Sequence, residues 1–346
     1  MFQKSIKLIN ANCGGEIGDV IVSGIDKVIG STILEQSKYL FENKKLRNIV
    51  LNEPRGGVFK HVNLLVPPKN LEADIGFIIM EPEDNPPMSG SNSICVATVV
   101  LEKNIIQMKE PITEFNLEAP GGLIKVIAYC NNGKVQNVRI ENLPSFVHKL
   151  DSVIQVEGLG SLRVDTAFGG DSFVILNAKD VGLSLLPDQA KDIVNISIKI
   201  INATNKQIGF KHPTLDKLNY ISFCQLIEPV YVNDQGIKEG KNTVCIRPGK
   251  LDRSPCGTGS CARLAIMRAR NEIVINEKFC SKSIIDSNFI CEIEGEFKNN
   301  NINFIKPTIT GSAFITGEQE LYIDDADPFP EGYRLNDTWP VINFKK

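Results

Sequence analysis

Two side chains of a kind that can move protons stand in matching turns: Cys256 in "DRSPCGTGS" (252–260) and Ser89 in "PPMSGSNS" (86–93). Each turn follows a proline, is built from Gly, Ser and Thr, and runs into an apolar segment of helical character, "SICVATVVLEKN" (93–104) in one case and "GSCARLAIMRARN" (259–271) in the other. Register sets Ser89 on Cys256, Gly90 on Gly257, Ser91 on Thr258 and Ser93 on Ser260. The first N–H groups of a helix lack backbone partners and carry the positive end of its dipole, so such a turn is an anion site. Small residues let a ligand carboxylate approach the backbone closely. The same field lowers a thiol from its free pKa of about 8.5, which suits Cys256 to be a thiolate near neutral pH, poised as base or nucleophile; a buried, inert cysteine at a tight turn is the plainer reading of the same motif. Asp252, four residues earlier, suits the role of counter-ion to a substrate ammonium; a turn or cap aspartate is the plainer reading of the same spacing. If the two turns face one cleft, the resulting cage fits chemistry at the α-carbon of an amino acid. Removing that weakly acidic proton requires preorganised donors for the developing charge and a dry site. No cofactor motif supplies an electron sink, so none is expected.

The elements that must position these turns are short. Runs such as "DVIVSGI", "RNIVLNE", "VNLLVPP", "IGFIIME", "LIKVIAY", "SFVILNA", "TVCIRPG" and "AFITGEQELYI" are bounded by Gly, Pro, Asn and Asp and read as strands. Helical segments are few: 31–43, 93–104, 186–205 and 259–271. The class is therefore α+β with mostly antiparallel pairing. "EFKNNNINF" (296–304) reads as a hairpin with a polar tip, and "DPFPEGYRLNDTWP" is too rich in proline for a regular element. "ANCGGEIGDVIVSGI" (11–25) resembles "TAFGGDSFVILNA" (166–178), and each precedes one of the two turns by some 70 to 90 residues. The order suggests a duplicated lobe with a boundary near residues 160–168: residues 1–165 carrying Ser89 and residues 166–346 carrying Cys256, with the C-terminal tail able to pack back on the first lobe.

Composition excludes several classes. The 346 residues fit two domains, and a formal charge of −3 from 38 Lys+Arg and 41 Asp+Glu offers no basic field for nucleic acid. No signal-peptide pattern opens the chain and no run of 18 apolar residues could span a membrane, so a cytoplasmic protein without nucleic-acid or membrane partners is expected. Nine scattered cysteines, none in C-x-x-C, read mostly as reduced and buried. His61 and His148 read as isolated polar side chains, His212 in "FKHP" as a lesser polar contact, and no structural metal site is expected. "GTGSCA" (257–262) fits the G-x-G-x-x-A dinucleotide pattern but follows a proline turn where that motif needs a strand. A cysteine hydrolase would need a histidine partner motif, and none of the three histidines lies in one.

"MSGSN", "DRSPCGTGS", "ITGSAFITGE" and "DPFPEGY" together resemble the proline racemase family, which includes hydroxyproline 2-epimerases and trans-3-hydroxy-L-proline dehydratases. The resemblance covers nearly the whole chain. It implies a diaminopimelate-epimerase-like fold: two pseudo-symmetric lobes, each a curved, mostly antiparallel sheet around a central helix, commonly as a homodimer and without cofactor. It places catalytic roles on Ser89 and Cys256, the backbone carboxylate clamp on Gly90, Ser91, Gly257 and Thr258, and the amine-binding carboxylate on Asp252. Two departures stand out, Ser89 where the family's racemases have cysteine and Ser91 where they typically have histidine. An alcohol is far less acidic than a thiol, so Ser89 matches Cys256 poorly in a two-base exchange. Elimination asks less of it. The expectation is therefore dehydration of trans-3-hydroxy-L-proline to Δ1-pyrroline-2-carboxylate, with 4-hydroxyproline 2-epimerase or proline racemase as the alternative, and a non-catalytic binder of proline-like amino acids as the reading from another class.

Overall fold

A computed structural model describes residues 2–214 and 218–339, with side chains from residue 5 onward; the end of the expected second lobe, 340–346, lies outside the described residues. The chain groups into two compact units, one of the described residues up to Glu141 and from Thr310 onward, the other Asn142–Ile309. Residues 142–165, expected with the first lobe, thus belong to the second unit, and those from 310 belong to the first. Pairing explains both: Ser145–Val156 runs antiparallel to Gly160–Phe168, and Ala313–Tyr322 runs antiparallel to Phe2–Cys13.

In the first unit the ladder proceeds from Phe2–Cys13 to Asp19–Ile25 (antiparallel), Val62–Val66 (parallel), Ile75–Met80 (antiparallel), Ile112–Ala119 (parallel), Gly122–Asn131 and Lys134–Glu141 (both antiparallel). The second unit repeats the order: Gly160–Phe168, Ser172–Asn177 (antiparallel), Phe223–Ile227 (parallel), Lys238–Ile246 (antiparallel), Phe279–Lys282 (parallel) and Asn288–Asn299 (antiparallel). Ile302–Gly311 then pairs with Ser145–Val156 at Phe304 and Phe146. A parallel step needs a crossover, and in both units helices fill it. The first crossovers carry α1 (Ile33–Glu42) and α2 (Lys45–Leu51) in one unit and α4 (Ala190–Gln207) in the other; the second carry α3 (Gly90–Glu102) and α5 (Gly257–Ala269). The similarity of the two Gly-Gly segments therefore marks a repeated topology, and the chain is an α+β protein of two like units.

The helices are of two kinds. In α4 the side chains of Ile193, Ser197, Ile200, Ile201 and Thr204 are buried, a single stripe of helical period facing a core with Leu176, Leu226 and Phe168. In α3 every residue from Gly90 to Leu101 is buried, and in α5 every residue from Gly257 to Met267. A helix hidden on all sides is held by its surroundings: Val96, Thr98, Val99 and Val100 are poor helix formers, and burial overrides that preference. The α3 helix contacts the strands at both ends of its ladder, including Phe2–Cys13, Lys134–Glu141 and Ala313–Tyr322. These are the central helices of the expected fold.

Two details differ from the sequence reading. "RNIVLNE" is not a strand; Leu46, Ile49 and Val50 are buried at helical spacing in α2, and the buried Arg47 turns inward to donate to the carbonyls of Glu81 (2.7 Å), Pro82 (3.3 Å) and Asp84 (3.0 Å). A short apolar run does not distinguish the two periods. The central helices also begin earlier than expected, at Gly90 and Gly257, so the small-residue turns supply their first turns. The expected hairpin has Asn300 and Asn301 at its tip, both left-handed with φ 47° and 64° as a two-residue turn requires. No helix among the described residues is long and apolar enough to cross a membrane.

Candidate active site

Ser89 is the N-cap of α3, extended at φ −149° and ψ 122°. The α-helical ladder opens with Ser93 N–H donating to Ser89 O at 3.0 Å, so the N–H groups of Gly90, Ser91 and Asn92 precede it. Ser93 Oγ also donates to Ser89 O at 2.7 Å and fixes the turn. The Ser89 hydroxyl oxygen accepts from Asn92 Nδ2 at 2.9 Å, and Asn92 Oδ1 accepts from Asn63 Nδ2 at 2.8 Å. Both asparagines are fully buried. They were missed in the sequence reading, although Asn92 lies inside "MSGSN"; nothing at sequence level brings Asn63, on the strand Val62–Val66, beside it.

Cys256 is the N-cap of α5, with φ 58° and ψ 99°. Here the ladder opens with Ser260 N–H donating to Cys256 O at 2.8 Å, leaving the N–H groups of Gly257, Thr258 and Gly259 ahead of it. The sulfur lies 3.6 Å from Thr258 Oγ1 and accepts from the Gly259 N–H. Asp252 shapes the approach: its Oδ1 accepts from Ser254 N–H at 2.8 Å and Ser254 Oγ at 2.9 Å, while Ser254 Oγ accepts from Cys256 N–H at 3.1 Å. Asp252 is thus a turn-holding carboxylate, and the turn it holds carries Cys256. Ser260 Oγ, on the register partner of Ser93, lies 3.1 Å from Pro255 O and 2.7 Å from Ser281 Oγ, with one proton to serve either.

The protonation expected for Cys256 is corrected. Its thiol is pushed well up, first by burial among Phe173, Phe223, Val244 and Ile246, and next by the Asp252 charge; the Gly259 N–H and Thr258 hydroxyl pull it down more weakly. The helix terminus acts in the predicted direction and is outweighed, because desolvating a thiolate costs more than one dipole returns. Near neutral pH Cys256 is therefore a protonated thiol.

Three glycines at or beside the turns have a steric reason. A Cβ on Gly259 would lie 3.2 Å from the Cys256 sulfur, Gln225 Nε2 and Val244 Cγ2. A Cβ on Gly169, in the "FGG" turn, would stand 2.1 Å from Thr258 O and 2.4 Å from Ala262 N, inside the first turn of α5. In the first unit Gly18 takes the same part, its Cβ position being 2.8 Å from Cys95 Sγ and 3.1 Å from Asn92 Oδ1.

The histidines stand apart from both turns in kind. His61 is buried between Glu16 and Glu81, at 3.6 Å from each carboxylate, so it is not the isolated side chain expected. His148 Nδ1 lies 3.0 Å from Thr166 Oγ1. His212 packs edge-on against Phe168 and Phe146, burial holds its pKa down to about 4, and its Nδ1 accepts from Thr214 N–H at 3.2 Å, so it is a neutral imidazole. Among the described residues no group of three or more His, Cys, Asp or Glu could hold a metal ion.

The first unit therefore brings together Ser89, Gly90 and Ser91, and the second brings together Asp252, Cys256, Gly257 and Thr258. Each half offers an anion-ready helix start and one proton-carrying side chain. The model of the proline racemase family matches residues 8–334. A hydroxyproline epimerase from Agrobacterium vitis, solved with bound trans-4-hydroxy-L-proline, is similar at 34% identity and a TM-score of 0.90, with 99% of each chain covered. A probable proline racemase from Agrobacterium radiobacter K84, solved with bound carbonate, is similar at 34% identity and a TM-score of 0.89, covering 96% of this chain and 98% of its own. A phenazine biosynthesis protein from Bacillus anthracis shares the fold at 13% identity and a TM-score of 0.59, covering 93% of this chain and 100% of its own.

Proposed function

The chain belongs to the proline racemase family, and we propose that it inverts the α-carbon of a hydroxyproline without a cofactor, using Cys256 and Ser89 as its acid/base pair. The observation that carries this reading is the duplication: the same strand and helix order occurs twice, each time with a proton-carrying N-cap on a helix buried over nearly its whole length. The proposal assigns both helix starts to one reaction on one substrate. The N–H groups of Gly90 and Ser91 and of Gly257 and Thr258 hold its carboxylate, and Asp252 receives its ammonium.

The substrate itself activates the thiol. The Asp252 charge is, after burial, the second cause that raises the Cys256 pKa, so an ammonium that offsets Asp252 removes that contribution and favours release of the thiol proton. Once the thiol has given its own proton to solvent, the thiolate takes the α-proton while the Ser89 hydroxyl returns one from the opposite face. Forward turnover leaves the proton on Cys256 and the deficit on Ser89, and the reverse reaction begins from that exchanged state. The hydroxyl is less handicapped than its type suggests, since Asn92 donates to its oxygen and stabilises developing negative charge there. That contact, with the whole-length similarity to a protein described as a hydroxyproline epimerase, supports inversion over the elimination expected from Ser89 alone.

The test is incubation with trans-4-hydroxy-L-proline in deuterated water, following deuterium at Cα and inversion by chiral chromatography. Both should appear, and Cys256→Ala should lose inversion by at least a factor of about 10² to 10⁴. Imine release from trans-3-hydroxy-L-proline without inversion of any proline would return the reaction to elimination. Binding that survives Cys256→Ala in a wild type that turns over nothing would leave a binder.

A further inference from the structure

We infer that Asn92, held by Asn63, is the positioning residue that fits an alcohol to proton transfer at Ser89; the inference rests on the two-base reading above and assigns a role inside it. An asparagine amide can be placed either way round, and only its hydrogen-bond network decides which end faces a neighbour. Here a main-chain carbonyl decides. Asn63 Nδ2 lies 3.3 Å from the carbonyl oxygen of Asp19, which can only accept, so the nitrogen of Asn63 must be on that side. The same nitrogen lies 2.8 Å from Asn92, which must therefore present its oxygen. The other end of Asn92, 2.9 Å from Ser89 Oγ, is then the donor. Asp19 is itself anchored, its Oδ2 bonded to Asn10 Nδ2 at 2.9 Å and paired with Lys60 Nζ at 3.2 Å, so the chain of orientation starts from a rigid, buried point.

The consequence for Ser89 is directional. With one lone pair occupied by Asn92, its own hydrogen cannot point back along that contact, since the Asn92 nitrogen has no acceptor to offer. The O–H is left to donate outward, and any alkoxide character that follows proton donation is met by a donor already in place. The second unit solves the same problem differently. In the register of the two turns Asn92 falls on Gly259, whose backbone N–H serves the Cys256 sulfur and whose position has no room for a side chain. Oxygen is paired with a side-chain amide, and sulfur with a main-chain amide and the Thr258 hydroxyl. A thiolate is a stable anion and asks little of its donors; an alkoxide is not, and a side-chain amide oriented by a second one is the contact that differs.

The experiment compares Asn92→Ala and Asn63→Ala in the wild-type and Ser89→Cys backgrounds, measuring inversion and, separately, deuterium exchange at Cα starting from each enantiomer. In the wild-type background Asn92→Ala should lower inversion at least 10-fold and Asn63→Ala by less. Exchange from the enantiomer whose α-hydrogen faces Cys256 should persist, because that half is untouched; its persistence also shows that the variant is folded. In the Ser89→Cys background the cost of Asn92→Ala should fall below 3-fold. Equal costs in both backgrounds, or a wild-type-background variant that inverts within 2-fold of its parent, would overturn the inference while leaving two-base chemistry standing. A variant that loses exchange from both enantiomers equally would assign Asn92 to fold maintenance and overturn it as well. If the parent protein itself exchanges no α-proton, the functional reading fails first and this role with it.

Discussion

Cys256 occupies a backbone conformation that side chains rarely adopt, at φ 58°. For an L-residue that costs roughly 1–2 kcal/mol, which the surrounding turn must hold in place. The turn does so through Asp252 and Ser254, whose hydrogen bonds reach the Cys256 N–H. Comparing Cys256→Gly with Cys256→Ala isolates the backbone contribution, because both remove the thiol. The glycine variant should be the more stable of the pair by about 1–2 kcal/mol in urea unfolding, the positive φ adding to the ordinary N-cap preference for glycine over alanine. An alanine variant equal or superior to the glycine one would mean that no strain is stored there. Ser89, an N-cap in ordinary extended geometry, should show a smaller gap between glycine and alanine.

At the scale of elements, the glycine turns set how closely strand and helix approach. Gly169 lies against the α5 backbone, and backbone cannot move aside as a flexible side chain can. Gly169→Ala should therefore cost about 3 kcal/mol or more, with loss of activity wherever the protein still folds, since the displaced atoms belong to Thr258 and Ala262. Gly295→Ala is the control: nothing lies within 4 Å of the added carbon and the backbone is not left-handed. Its thermal midpoint should stay within a degree or two of the parent's, a shift on the order of 0.5 kcal/mol or less. If both variants behaved alike, close packing of the "FGG" turn on α5 would not be what that turn supplies.

At the scale of the whole molecule, the described cysteines are all buried as free thiols, and burial raises several of their pKa values. Cys224 and Cys261 are pushed up to about 12, whereas an unfolded chain releases these protons near 8.5. A raised folded-state pKa stabilises the fold fully below the unfolded value, and that contribution is lost as pH climbs from about 8.5 toward 12, at roughly 1.4 kcal/mol per thiol per pH unit. Under reducing conditions the urea midpoint should thus fall steeply between pH 8.5 and 10, and Cys224→Ala should soften the slope. A flat midpoint over that window would show that the thiols are wetter than their burial suggests. What the sequence by itself determined was periodic and local: short bounded strands, four of the five α-helices among the described residues, the paired turns, and Ser89 and Cys256 at matching places in them. Even there a short run such as "RNIVLNE" was ambiguous, because a few apolar residues satisfy either period. Tertiary structure alone decided the contacts that depend on distant segments, namely Asn63 against Asn92, Gly169 against α5, and the apolar shell that reverses the expected ionisation of Cys256. Spacing along a chain encodes which residues share a turn; which groups are stripped of water, and by what, exists only once the units have closed around their central helices.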